Sequence, residues 1–231
     1  MEIVIESLLE GAQRAAGTVV VIDVFRAFTT AAVVLSKGAD KIVMVDRVEE
    51  AFALRAAGIG ALCMGEIDGV KVEGFELGNS PYEASLADLA GTTVIQRTSS
   101  GTRGVAAALG NADRLFAGAL VTASATTRAV LAEAPARVTL AAMGRNAVVR
   151  ADEDELCAIH LRNLLEGRAG NADALRGVIL GGGQIPDFAD PAKPYLHPND
   201  LDICLDVDRF DFAIRVALED GRPVARPVRP G

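Results

Sequence analysis

The stretch from Val19 to Leu35, VVVIDVFRAFTTAAVVL, constrains the fold more than any other. An apolar, β-branched run reaches Asp23 and a helix-like pattern follows Thr29-Thr30, so a buried strand, a polar junction and a helix start lie within one segment. A strand that only filled a core would keep its β-branched residues up to a turn. Strand-like runs at Val19–Val24, Lys41–Val45, Ala61–Met64, Thr92–Gln96, Asp113–Ala117 and Arg137–Ala142 alternate with Ala/Leu-rich segments. Helices are expected around Thr29–Ser36, Glu49–Ala57, Gly101–Leu109, Thr122–Glu133 and Asp152–Glu166. This βαβα order predicts an α/β protein, layered α/β/α with a largely parallel sheet. FAIRVALEDGRPVARPV at the end reads as a hairpin turning at Asp220-Gly221. AEAPAR, residues 132–137, reads either as an ordinary helix-to-strand turn in a single domain or as the division between two α/β lobes.

Composition narrows the partners. Half of the 231 residues are apolar, enough for a sizeable core, but aromatics make up only 4% and Trp is absent. A formal charge of −8 without any Lys/Arg run argues against nucleic acid, whose phosphates require a basic face. The start, MEIVIESLLEG, is acidic where a signal peptide would be basic, and no apolar run reaches membrane-spanning length. A cytoplasmic protein with no membrane partner is expected, and self-association into a homo-oligomer is compatible with an Ala/Val-rich sheet. Cys63, Cys157 and Cys204 are odd in number and widely spaced, which signals reduced, buried thiols and neither disulfides nor zinc.

Ser/Thr residues precede an Ala/Val/Leu helix pattern three times, in FTTAAVVL, TSSGTRGVAAAL and SATTRAVL. Helix capping accounts for this pattern, and so does an anion site at helix starts along the carboxyl edge of a parallel sheet. VLSKGADK lacks P-loop order, GGGQ lacks dinucleotide spacing, and no G-x-S-x-G elbow accompanies Ser99, Ser100, His160 or His197. Asp23 and Glu66 each follow an apolar strand, where an α/β enzyme places metal ligands or nucleophiles. Pro and Gly thicken from Gly181 to Asp200, a loop or lid.

The remaining dense polar clusters carry a resemblance: Asp-Val-x-Arg-Ala-x-Thr-Thr at Asp23–Thr30, Gly65-Glu66, Gly78-Asn79-Ser80-Pro81 with Glu83, Gly101-Thr102-Arg103, and Glu153-Asp154 ahead of Cys157-Ala158. In this order and spacing the chain resembles the 2-phosphosulfolactate phosphatase family, the ComB-type enzymes associated with coenzyme M biosynthesis, over nearly its whole length. The resemblance implies a Mg²⁺-dependent hydrolase of a small acidic phosphomonoester. TSSGT stands where that family commonly has Thr-Thr-Asn-Gly-Thr, so Ser100 brings a hydroxyl to the expected anion loop.

Such a hydrolase must neutralise phosphoryl oxygens, activate a nucleophile and stabilise the leaving alkoxide. Asp23, Arg26 and Arg103 are the expected catalytic residues. Arg97, Ser100, Gly101, Asn79, Ser80 and Arg145 are expected at the substrate, and Thr29, Thr30 and Thr102 are read equally as anion donors or caps. Asp23, Glu66, Glu153 and Asp154 form the pool of Mg²⁺ ligands, since that ion prefers hard oxygens and keeps several waters. Action on another phosphorylated hydroxyacid, or anion binding without catalysis, are the alternatives.

Overall fold

The computed structural model describes residues 1–182 and 185–229. In chain order the strands and helices are β1 (Glu2–Ser7), α1 (Leu8–Arg14), β2 (Gly17–Ile22), α2 (Ala27–Ser36), β3 (Lys41–Val45), α3 (Val48–Ala56), β4 (Leu62–Ile67), β5 (Val70–Lys71) and α4 (Pro81–Leu86). They continue with β6 (Thr93–Arg97), α5 (Gly101–Ala108), β7 (Ala112–Gly118), α6 (Ala123–Ala132), β8 (Arg137–Ala142), α7 (Asp152–Leu165), α8 (Ala172–Leu180), α9 (Pro198–Cys204), β9 (Ala213–Glu219) and β10 (Arg222–Val228).

All ten strands join one sheet in the order β1-β8-β2-β7-β9-β10-β3-β6-β4-β5. β1, β8, β2 and β7 form one parallel block, and β3, β6 and β4 form a second. The hairpin β9–β10 lies between them, antiparallel to β7 on one side and to β3 on the other. Residues 132–137 fall between α6 and β8, and β8 pairs with β2; the two parallel blocks are joined through the C-terminal hairpin.

The layers follow from strand alternation, which sends successive side chains to opposite faces. Val19 and Val21 face one core with α2 and α5, while Val20 and Ile22 face another with α6 and α7. Ile42 and Met44 of the second block join that first core, and Val43 and Val45 pack with α3 in a third. The α/β/α layering expected from sequence is therefore present, with both blocks sharing one face. Every residue of α2 from Ala27 to Leu35 is buried, as suits a helix that is apolar all round.

The two blocks run in opposite senses, because three antiparallel pairings separate them. Strand twist of roughly 20–25° per step accumulates to roughly 100–125° over the five steps from β2 to β6. Both blocks pack on α2 and α5, and around these helices the carboxyl ends of β2 and β6 meet, with Asp23 beside Gly101.

Strand β2 stops two residues short of the expected Val24 because the Val24 N–H leaves the ladder and donates to Asp154 Oδ1 at 2.7 Å. α2 starts two residues before Thr29 because the Ala27 N–H is capped by Asp23 Oδ1 at 3.0 Å. The short elements β1, β5, α1, α4, α8 and α9 are not expected from sequence. Among the described residues no helix is long and apolar enough to cross a membrane. All three cysteines are free and buried.

Candidate active site

A cavity of about 300 Å³ opens where the carboxyl ends of β2, β4 and β8 meet the segment before α9. Asp23, Arg26, Glu66, Asn79, Ser100, Arg145 and Glu153 of the expected site residues line it.

Asp23 is buried at the end of β2, beside the starts of two helices. Its carboxylate accepts the Ala27 N–H and faces the Gly101 N–H. Burial dominates and pushes its pKa up to about 7; those two N–H groups and Arg26 pull it down, while Glu66 adds repulsion. Glu153, from the first turn of α7, is also pushed up to about 7, by burial and then by repulsion from Asp23 and Asp152, with Arg145 opposing. Asp154 lies beneath them. It accepts Val24 N–H and Gly144 N–H, one at each oxygen, which ties the end of β2 to the loop after β8. Burial, Asp23 and Glu153 hold its pKa well above the usual carboxylate range.

Glu66 reaches the same cavity because Gly65 lets β4 press against β6. At φ +140° a Cβ there would sit 1.7 Å from the Arg97 carbonyl oxygen, so only glycine fits. Both Glu66 oxygens are engaged: Oε1 by the Ser99 N–H, Oε2 by Gly69 N–H at 2.7 Å and Ser99 Oγ–H at 3.0 Å.

The cations are distributed differently from expectation. Arg26 is 3% exposed and donates through Nη1 to Asp200 Oδ2 at 2.8 Å and to the Tyr195 carbonyl at 2.7 Å. Arg145 lines the cavity from the loop after β8, exposed to solvent. Arg103 lies outside the lining and faces Asp46 at 3.6 Å, because its position on α5 carries it to the outer side of the Ser99–Gly101 turn. Arg97 is also outside the lining: its guanidinium is spent on the Glu66 and Asp46 carbonyls.

Most of the expected hydroxyl ligands bond to the scaffold, while Thr30 Oγ1 is buried without a partner among the described residues. Thr29 Oγ1 donates to the Val24 carbonyl, and Thr30 is wholly buried away from the cavity. Thr102 exchanges hydrogen bonds with Thr98 across the start of α5. Ser100 lines the cavity, but its hydroxyl links the Gly144 carbonyl to the Ala147 N–H. Ser80 caps α4, with Pro81 in the first turn, while donating to Asp200. Asn79 lines the cavity with its Oδ1 buried and unpaired among the described residues. Gly101 has no room for a side chain: a Cβ would lie 3.0 Å from Asp23 Oδ2.

Lys193 and Tyr195, which carry no individual signal in the sequence, line the cavity from the segment between the Ile185–Ala189 3-10 helix and α9, with Lys193 held to Asp187 at 2.6 Å; Gly183 and Gln184 of the expected Gly181–Asp200 loop lie outside the described residues. Asp200, the buried partner of Arg26, is likewise silent in the sequence. The Pro-rich stretch from Gly181 to Asp200 is the sequence signal that points to all three, although Asp200 lies in the first turn of α9. His197 caps α9 and stacks on Tyr82, and His160 is buried in α7, so neither touches the cavity.

Comparison with known proteins adds an independent finding. A family model described as 2-phosphosulpholactate phosphatase matches residues 3–179. A probable 2-phosphosulfolactate phosphatase of Bacillus subtilis is 32% identical over 208 residues, covering 87% of each chain. Proteins of the same description from Carboxydothermus hydrogenoformans and Deinococcus radiodurans are 47% and 37% identical over 107 and 133 residues, 46% and 58% of this chain. Those two alignments span 44% and 55% of the relatives' own lengths. With the family match covering most of the chain, and Asp23, Arg26, Glu66 and Glu153 around one cavity, the chain belongs to the 2-phosphosulpholactate phosphatase family, a family of phosphoric monoester hydrolases.

Proposed function

We propose that the chain hydrolyses a small acidic phosphomonoester, 2-phosphosulfolactate in first place, to the hydroxy acid and phosphate with Mg²⁺ as cofactor. One observation carries this reading: Asp23, oriented by N–H groups at the starts of α2 and α5, shares a cavity with Arg26, Arg145 and Lys193. The cavity is polar and small, and its three cations share the lining with five carboxylates, Asp23, Glu66, Asp68, Glu153 and Asp187, a balance that a bound cation would shift toward accepting a phosphorylated acid.

The donor chemistry suits the metal. Among the described residues no three His, Cys, Asp or Glu side chains form a ready-made metal cluster. Mg²⁺ does not need one, because it keeps several waters and is held by one or two carboxylates together with substrate phosphate. Asp154 lies outside the lining with its two oxygens tied to the Val24 and Gly144 N–H groups, whereas Asp23, Glu66 and Glu153 line the cavity and would hold the ion through their remaining lone pairs. When bound, it neutralises charge on the phosphoryl oxygens and the leaving alkoxide.

The chain's own residues do the rest. Arg26 keeps donors beyond the Nη1 pair spent on Asp200 and Tyr195, and these face the phosphoryl oxygens; Arg145 takes the acid group. Asp23 attacks phosphorus or orients the water that does. Stereochemistry at a chirally labelled phosphoryl group separates the two: inversion marks one displacement, retention marks two.

The decisive experiment measures phosphate release from 2-phosphosulfolactate and a panel of phosphorylated hydroxyacids, with Mg²⁺ and with chelator. Turnover is expected only with the metal, and Asp23→Asn is expected to lose about 10²-fold or more. Near-normal turnover by that variant, or tight substrate binding without release under any divalent ion, overturns the reading.

A further inference from the structure

Asp200 is a carboxylate that no solvent reaches, and it lies beyond residue 179, where the family match ends. Its oxygens divide their partners. Oδ2 pairs with Arg26 Nη1 at 2.8 Å, and Oδ1 accepts the Ser80 hydroxyl at 2.6 Å and the Tyr82 N–H at 3.0 Å. Three segments that line the cavity therefore converge on one side chain: the β2–α2 junction through Arg26, the turn after Asn79 through Ser80, and the Tyr195–Leu196 stretch through its own helix.

We propose that Asp200 is a positioning residue, which holds the Arg26 guanidinium in the orientation that binds the phosphoryl group. This rests on the reading of the cavity as a phosphomonoester site. A guanidinium carries five N–H donors in a rigid plane, so fixing one edge fixes the rest. The Nη1 edge is fixed twice, by Asp200 and by the Tyr195 carbonyl, and Nη2 is 3.4 Å from the Gly69 carbonyl. The Nε and remaining Nη2 donors are then set by Asp200 without contact between Asp200 and substrate. The fixed pair also costs the ligand less, since Arg26 need not give up rotamer freedom on binding.

The test is a double-mutant cycle between Arg26→Lys and Asp200→Asn, read in two ways: kcat/KM for phosphate release, and the Kd for inorganic phosphate by calorimetry with Mg²⁺ present. Asp200→Asn alone is expected to lower kcat/KM about tenfold or more and to weaken phosphate binding by a similar factor. In the Arg26→Lys background the same change is expected to cost less than about threefold. Equal losses in both backgrounds would show that Asp200 acts on the fold generally and would overturn the proposal. Asp200→Glu, which keeps the charge, is expected to recover part of the phosphate affinity. Hydrogen exchange on the unmodified chain supplies a readout that needs no variant: phosphate is expected to slow the amides of residues 195–204, and unchanged exchange overturns the proposal. A chain that binds phosphate with the expected non-additivity but turns over no phosphomonoester would sink the proposed function and leave the positioning role standing. A chain that does neither sinks both.

Discussion

At the level of single residues, short and long charged side chains around the cavity are positioned by different parts of the fold. Asp23 and Glu66 terminate apolar strands, and a strand end fixes where a short side chain lies to within a few ångströms. Arg103 lies two residues after Gly101 and Arg145 directly after Gly144, yet one reaches Asp46 outside the cavity and the other lines it. Long side chains take their direction from loops brought close by the fold, which no local pattern encodes. The exchange is testable: Arg145→Ala is expected to lower kcat/KM about tenfold or more, as loss of a charge-assisted contact does, while Arg103→Ala stays within about twofold. A reversed ranking in steady-state kinetics would return Arg103 to the site. Gly101 offers a sharper case. A Cβ at this position would lie 2.9 Å from Ala27 Cβ, 3.0 Å from Phe28 and 3.0 Å from Asp23 Oδ2, so the carboxylate or its helix must shift. Gly101→Ala is expected to destabilise by about 1–3 kcal/mol and to cut kcat by more than about tenfold with KM little changed. Wild-type kcat with lowered stability would show that Asp23 tolerates displacement.

At the level of elements, long periodic segments were readable to within a residue or two, as β3, β8 and α7 show, because burial imposes the period on them. α4 has six residues, too few to display a helical period in sequence; only Ser80 and Pro81, a cap and a first-turn proline, mark it. The acidic first turn of α7 illustrates what pattern alone leaves open. It suits the helix dipole, yet its acids act separately, for Glu153 lines the cavity, Asp154 joins two loops, and Glu155 accepts from Ser7. The same helix carries a pH-sensitive element remote from the cavity. His160 is buried beside Gly170, its Nε2 unpaired among the described residues, and burial lowers its pKa below 6.5 against the pull of Asp208. A histidine held neutral contributes stability that is present above 6.5 and is lost as pH falls through its folded value, because the unfolded chain then binds more protons. Between about pH 7.5 and 5 the denaturant midpoint of the wild type is therefore expected to fall further than that of His160→Gln. Parallel profiles for the two proteins would contradict this.

At the level of the whole molecule, the hairpin was legible as a hairpin but not as the centre of the sheet. Asp220-Gly221 specifies the reversal locally, whereas the partners of β9 and β10 are β7 and β3, about 100 and 180 residues earlier in the chain. That placement makes the C-terminal strands contribute to every core: Ile214, Val216 and Ala225 to the shared face, Ala213 to the α6–α7 side, Val224 to the α3 side. Burying an isoleucine or valine is worth roughly 1.5–3 kcal/mol, and net stability of a domain is about 5–15 kcal/mol, so the last strands account for a large share of it. Deleting residues 213–229 would also leave β7 and β3 as open sheet edges, and the truncated chain is expected to aggregate. A graded version separates one cooperative unit from two lobes. Ile214→Ala, opposite Ala117 in the sheet, is expected to cost about 2–5 kcal/mol. If β9–β10 joins both blocks into one unit, that loss shifts a single unfolding transition, and fluorescence, circular dichroism and loss of phosphate binding move together. A biphasic curve in which only one phase moves would mean that the blocks unfold separately and that the hairpin belongs to one of them.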